Sequence, residues 1–137
     1  MDMPLATPIL AHPERNRHLV ENPSIIRDLV KRGIEIQINS GSLEGIFGES
    51  ARRTARCLLK EAAARLVASD AHGPLGRSTD LSGAARALSS LLGEEAPRLI
   101  LGENPGLILE GEELASTVSD SQLTSRPSRK RSWRRSR

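Results

Sequence analysis

Apolar and polar residues alternate strictly through Ile34-Glu35-Ile36-Gln37-Ile38, the period-two pattern of a strand with one buried side. Two shorter apolar runs, Pro8-Ile9-Leu10-Ala11 and Leu66-Val67-Ala68, also read as strands, each followed at once by polar residues. Between the runs the period changes to that of a helix. Ile25, Ile26, Leu29 and Val30 recur at helical spacing behind Asn22-Pro23, where Asn22 can cap, Pro23 fits the first helical position and Gly33 closes the element. Asn39-Ser40-Gly41-Ser42 reads as a polar, glycine-bearing loop. Ser50 then opens a long helix to about Arg65, with Ala51, Ala55, Leu58, Leu59 and Ala62 facing inward. Asp80 is placed to cap a further helix through Leu92, with Leu81, Ala84, Ala85, Leu88 and Leu91 inward and Gly93 as its stop. A short helix is expected from Glu94 to Leu101, and a last short turn runs from Asn104-Pro105 through Leu109 to Gly111.

Strands that alternate with helices predict an α/β fold with a parallel sheet. The polar residues gather at the carboxyl ends of the strands, the side on which α/β barrels build their sites. Three strands are visible, where a full barrel has eight and takes roughly 250 residues, so the 137-residue chain corresponds to about half of one. Phe47 and Trp133 are its only aromatic residues, and the core must therefore be built from Leu, Ile, Val and Ala. Residues 126–137 hold seven basic side chains and no acid, which leaves 13 basic against 17 acidic groups in the rest, a net −4, although the whole chain is +3. The basic character belongs to the tail. Residues 1–113 are read as one domain and 114–137 as a disordered Ser/Arg-rich extension without a function of its own, so nucleic acid is not expected as a partner. No membrane span and no signal peptide are expected, and the lone Cys57, read as a small core residue, fits a cytoplasmic protein without disulfides.

The chemistry concentrates at strand ends. Asp70 and His72 stand two apart where the third strand should stop, so that in extended backbone both side chains point to one side. A carboxylate with a neutral imidazole suits manganese, iron or zinc better than calcium or magnesium. The plain alternative is a turn in which Asp70 caps and His72 is exposed. His12 falls at the end of the first strand; it is either a third ligand or a loop histidine capped by Glu14. Arg15 and Arg77 accompany these residues, and an arginine fork matches two oxygens of a phosphate. Their plain alternatives are an ion pair of Arg15 with Glu14 or Glu44, and simple exposure of Arg77 near a helix start. Metal and arginines at one mouth point to phosphoester hydrolysis.

The segments Pro8 to Asn16, Gln37 to Gly45, Ala68 to Gly73 and Asn104-Pro105 occur in an order and spacing that resemble the polymerase-and-histidinol-phosphatase (PHP) superfamily. More narrowly they resemble the bacterial manganese-dependent protein-tyrosine phosphatases associated with capsule and exopolysaccharide synthesis. The resemblance runs from about Pro8 to Gly111 and covers the carboxyl-terminal half of that domain. It implies a partial distorted (β/α) barrel with metal ions at its mouth, with His12, Asp70 and His72 as ligands of manganese or another divalent transition metal. It also implies Arg15 and Arg77 as the catalytic groups that hold the phosphate, and an autophosphorylating tyrosine kinase as the phosphotyrosine substrate. The His-x-His and Asp-Asp-Gly motifs of the family's amino-terminal half are not in this sequence, so a separate amino-terminal half or a homo-oligomer is expected to complete the site. Cysteine-dependent tyrosine phosphatases need an arginine six residues after the cysteine; here that place is Ala63. The competing expectations are a non-catalytic remnant or interaction module using the basic tail, and another PHP phosphatase such as a histidinol-phosphatase-like enzyme.

Overall fold

A computed structural model describes residues 6–75 and 79–115. Three parallel strands form one sheet in the order β1 (Ile9–Ala11), β2 (Glu35–Asn39), β3 (Leu66–Ala68), with Leu10 opposite Ile36 and Ile38 opposite Val67. The strict alternation in β2 does what its period requires: Ile36 and Ile38 are fully buried, while Glu35 and Gln37 on the other side are only partly covered. Each fully buried aliphatic side chain contributes about 1.5–3 kcal/mol, so the central strand anchors the fold. Parallel neighbours need a helical crossover, supplied by α1 (Arg17–Glu21) and α2 (Pro23–Lys31) before β2, and by α3 (Ser40–Glu44) and α4 (Glu49–Lys60) before β3.

The helices bury the faces their spacing predicts. Ile26 and Val30 of α2 and Ala55, Leu58 and Leu59 of α4 enter the core, together with Ala84 and Leu88 of α5 (Ser82–Leu92). The core is aliphatic, as the composition requires. Beyond α5, α6 (Ala96–Arg98), a π-helical turn (Leu99–Glu103) and α7 (Asn104–Glu110) follow one another directly, and Ile100 packs inward. Asn104 is fully buried: its Nδ2 donates to the Arg65 and Ala115 carbonyls at 2.8 and 3.0 Å, and its Oδ1 accepts from the Ala115 N–H at 2.9 Å. This ties the carboxyl-terminal segment to the start of β3. Leu114 is buried and Ala115 is held by Asn104. The basic tail from 116 onward lies outside the described residues.

Several local expectations are corrected. The polar segment after β2 is the helix α3, with Ser40, Gly41, Ser42 and Leu43 buried. Asn22 does not cap α2; its Nδ2 donates back to the His18 carbonyl at 2.9 Å. Asp80 accepts from the Ser82 N–H at 2.8 Å from one residue before the helix junction, with Leu81 between. Cys57 is exposed on α4, not part of the core.

Candidate active site

Each strand delivers polar groups from its carboxyl end, and the register of the sheet sets those ends side by side. After β1, Pro13 disfavours helical backbone at the residue before it. His12 takes the left-handed conformation, φ 40° and ψ 51°, while its N–H donates to the Gln37 carbonyl at 2.8 Å. The 3₁₀ turn Pro13–Arg15 then drives Glu14 into the interior and leaves Arg15 at the rim.

Glu14 is only 1% exposed, and its Oε1 accepts from the Asn39 N–H at 2.9 Å and from the Ser42 hydroxyl at 2.7 Å. Burial pushes its carboxyl above the usual range, against the pull of these two donors. Its Oε2 is buried without a hydrogen-bond partner among the described residues. Asn39 itself accepts the Gly41 N–H on Oδ1 at 2.9 Å, which turns its amide nitrogen toward Asp70 Oδ2, 3.2 Å away.

Asp70 and His72 come together by a route that differs from the extended pairing expected of them. β3 stops at Ala68, and Asp70 adopts φ 50°. The ring of His72 folds back so that Nδ1 lies 2.7 Å from the Asp70 carbonyl and 4.0 Å from Oδ1. A carbonyl only accepts, so Nδ1 carries the proton and Nε2 keeps the lone pair. This arrangement, one ring nitrogen bonded to a carbonyl and the other free to coordinate, is usual for metal-ligating histidines. The Arg15 guanidinium stands 4.0 Å from Asp70 Oδ2, and its Cζ lies over the Phe47 ring, 3.8 Å from the centroid. Its partners are thus Asp70 and Phe47, in place of the Glu14 or Glu44 pairing considered from the sequence. Arg77 lies outside the described residues, and His18 is exposed on α1.

Among the described residues no group of three or more His, Cys, Asp or Glu side chains is placed to hold a metal ion. The donors fit one corner of a transition-metal site, a carboxylate beside an imidazole with Nε2 available, and do not form a cage on their own. The same rim offers a guanidinium beside that corner, which together can take a phosphate ester. The sequence pointed to His12, Asp70, His72 and Arg15. It did not point to Glu14, Asn39 or Phe47 as parts of the site, although the Gln37–Gly45 motif and the isolation of Phe47 as the one aromatic before the tail were available signals.

The parallel sheet thus carries an acid, an imidazole and a guanidinium at its carboxyl edge, where α/β folds build their sites. The chain belongs to the capsular polysaccharide synthesis CpsB/CapC family, whose model matches residues 6–110. It is 40% identical over 107 residues to the tyrosine-protein phosphatase YwqE of Bacillus subtilis (strain 168), an overlap of 78% of this chain and 42% of that protein. It is 39% identical over 70 residues to CapC of Staphylococcus aureus, covering 51% of this chain and 28% of the relative. Among solved structures it resembles one from the crystallography of YwqE from Bacillus subtilis and CpsB from Streptococcus pneumoniae, described as metal-dependent tyrosine phosphatases. That match has a TM-score of 0.73 at 38% identity and covers 80% of this chain and 44% of the other. The chain therefore spans less than half the length of the relatives it matches.

Proposed function

We propose that this chain supplies part of a metal-dependent protein-tyrosine phosphatase, with its three-stranded sheet as a segment of a distorted barrel. Asp70, His72 and His12 are its contribution to the metal site, and Arg15 with Arg77 binds the phosphate. The observation that carries this reading is the pairing of an oriented Asp70–His72 corner with the Arg15 guanidinium 4.0 Å from Asp70. When bound, divalent ions supply charge that activates water and shields the leaving oxygen. Arg15 orients the phosphoryl group and neutralises its equatorial oxygens. The donor set suits manganese, iron or zinc; the family resemblance implies manganese among them, and an autophosphorylating tyrosine kinase of polysaccharide synthesis as the substrate. The remaining donors come from the portion of the relatives that this chain does not span.

The test is phosphate release from phosphotyrosine with manganese, by the chain alone and mixed with the amino-terminal segment of a full-length relative. Turnover near the metal-only blank for the chain alone, and chelator-sensitive turnover for the mixture, is expected. Failure of the mixture, with the two pieces shown to associate, would contradict the proposal and favour a non-catalytic remnant.

A further inference from the structure

The Gln37–Gly45 motif carries no catalytic group, yet two residues of the β2–α3 segment and the loop after it touch the two groups on which the functional reading rests. We propose that Asn39 and Phe47 are positioning residues that keep Asp70 and Arg15 apart and correctly aimed, Asn39 for the metal-binding carboxylate and Phe47 for the phosphate-binding guanidinium. This rests on the reading above.

An arginine and an aspartate on one rim would ordinarily close to a direct ion pair of about 2.7–2.9 Å. Here they stop at 4.0 Å. Each is engaged from the β2–α3 side. Asp70 Oδ2 accepts from Asn39 Nδ2 at 3.2 Å, and the Arg15 guanidinium carbon stands over the Phe47 ring at 3.8 Å. A cation–π contact uses the flat face of the guanidinium and leaves its in-plane N–H groups available, which is the edge a phosphate takes bidentately. The aim of the Asn39 amide is fixed as well, because its Oδ1 is committed to the Gly41 N–H and its own N–H is clamped by buried Glu14. The Phe47 ring owes its place to Gly41: a Cβ there would stand 2.7 Å from Phe47 Cε2. One short segment, from Asn39 to Phe47, thus sets both groups.

The test titrates manganese by electron paramagnetic resonance and inorganic phosphate by calorimetry into the full chain, with melting temperatures of the same samples. Asn39→Ala is expected to weaken manganese binding about tenfold, in the range typical of residues that orient ligands, with a smaller effect on phosphate. Phe47→Leu is expected to weaken phosphate binding several-fold and leave manganese unchanged, while Phe47→Trp restores phosphate binding. A merely structural role would lower both affinities together with the melting temperature, and that result overturns the proposal. Should Phe47→Leu fail to fold, the wild-type protein still decides: the Arg15 side-chain protons must show an upfield ring-current shift, and its absence overturns the Phe47 assignment. Wild-type binding with both variants unaffected overturns the positioning and leaves the functional reading intact; a wild-type chain that binds neither probe, alone or mixed with the amino-terminal segment of a full-length relative, overturns both.

Discussion

Cys57 shows how far a single partner can set a residue's chemistry. Its thiol donates to Glu61 Oε1 at 3.2 Å, and the carboxylate, itself held by Arg27 at 2.8 Å, pushes the thiol above its ordinary range. The thiolate is the reactive form, so alkylation at pH 8 should be slower for the folded chain than for the urea-unfolded one despite exposure. Glu61→Ala should accelerate it; equal rates in the folded and unfolded chains would contradict the assignment. The same geometry leaves Cys57 without the makings of a nucleophile, in agreement with the spacing to Ala63. At this scale the sequence was legible where chemistry is local. His12 stands directly after β1, Arg15 ends the turn behind it and Asp70 follows β3 by two residues, and their types mark them as candidate groups. Glu14, Asn39 and Phe47 were not legible, because their roles rest on contacts between positions 25 to 32 residues apart, such as Glu14 to Asn39 and Arg15 to Phe47. Cys57 neighbours Leu58 and Leu59 in sequence, yet of the three only the leucines are buried.

Among the elements, β2 was readable from its alternation alone, whereas α3 was not. Ser, Gly and Asn favour loops on their own. The helix forms there because Asn39 caps Gly41 and because Glu14 reaches across from the turn after β1 to take the Ser42 hydroxyl. Gly41→Ala would ordinarily favour a helix by up to about 1 kcal/mol. Here the added methyl meets Phe47 at 2.7 Å and Asn39 Oδ1 at 3.3 Å, and a net loss of about 1–3 kcal/mol is expected, as for other overpacked sites. Denaturant unfolding measures it, and a gain in stability would contradict the packing. Asn104 plays the matching part at the other end of the chain, joining the start of α7, Arg65 and Ala115. Nearby, Arg65 also pairs with Glu35 at 2.5 Å and donates to the Leu114 carbonyl. Asn104→Ala removes three hydrogen bonds worth about 1 kcal/mol each and should cost roughly 2–3 kcal/mol; a loss below about 0.5 kcal/mol would show that the closure does not depend on it.

At the scale of the whole molecule, three parallel strands with their crossover helices make an aliphatic core, and the described candidate residues His12, Arg15, Asp70 and His72 follow the carboxyl ends of β1 and β3. No helix among the described residues is long and apolar enough to cross a membrane. The parallel α/β sheet and the family were legible, because strand and helix periods and motif order are properties of the chain itself. How many donors converge was not, since convergence depends on backbone turns such as the left-handed conformations of His12 and Asp70. The most direct test of the central claim is therefore a manganese titration of the chain and four variants, followed by electron paramagnetic resonance. His12→Ala, Asp70→Ala and His72→Ala should each weaken binding about tenfold or more, while His18→Ala on exposed α1 should bind like wild type. Manganese affinity unchanged by Asp70→Ala, or lowered as much by His18→Ala as by His12→Ala, would contradict the account.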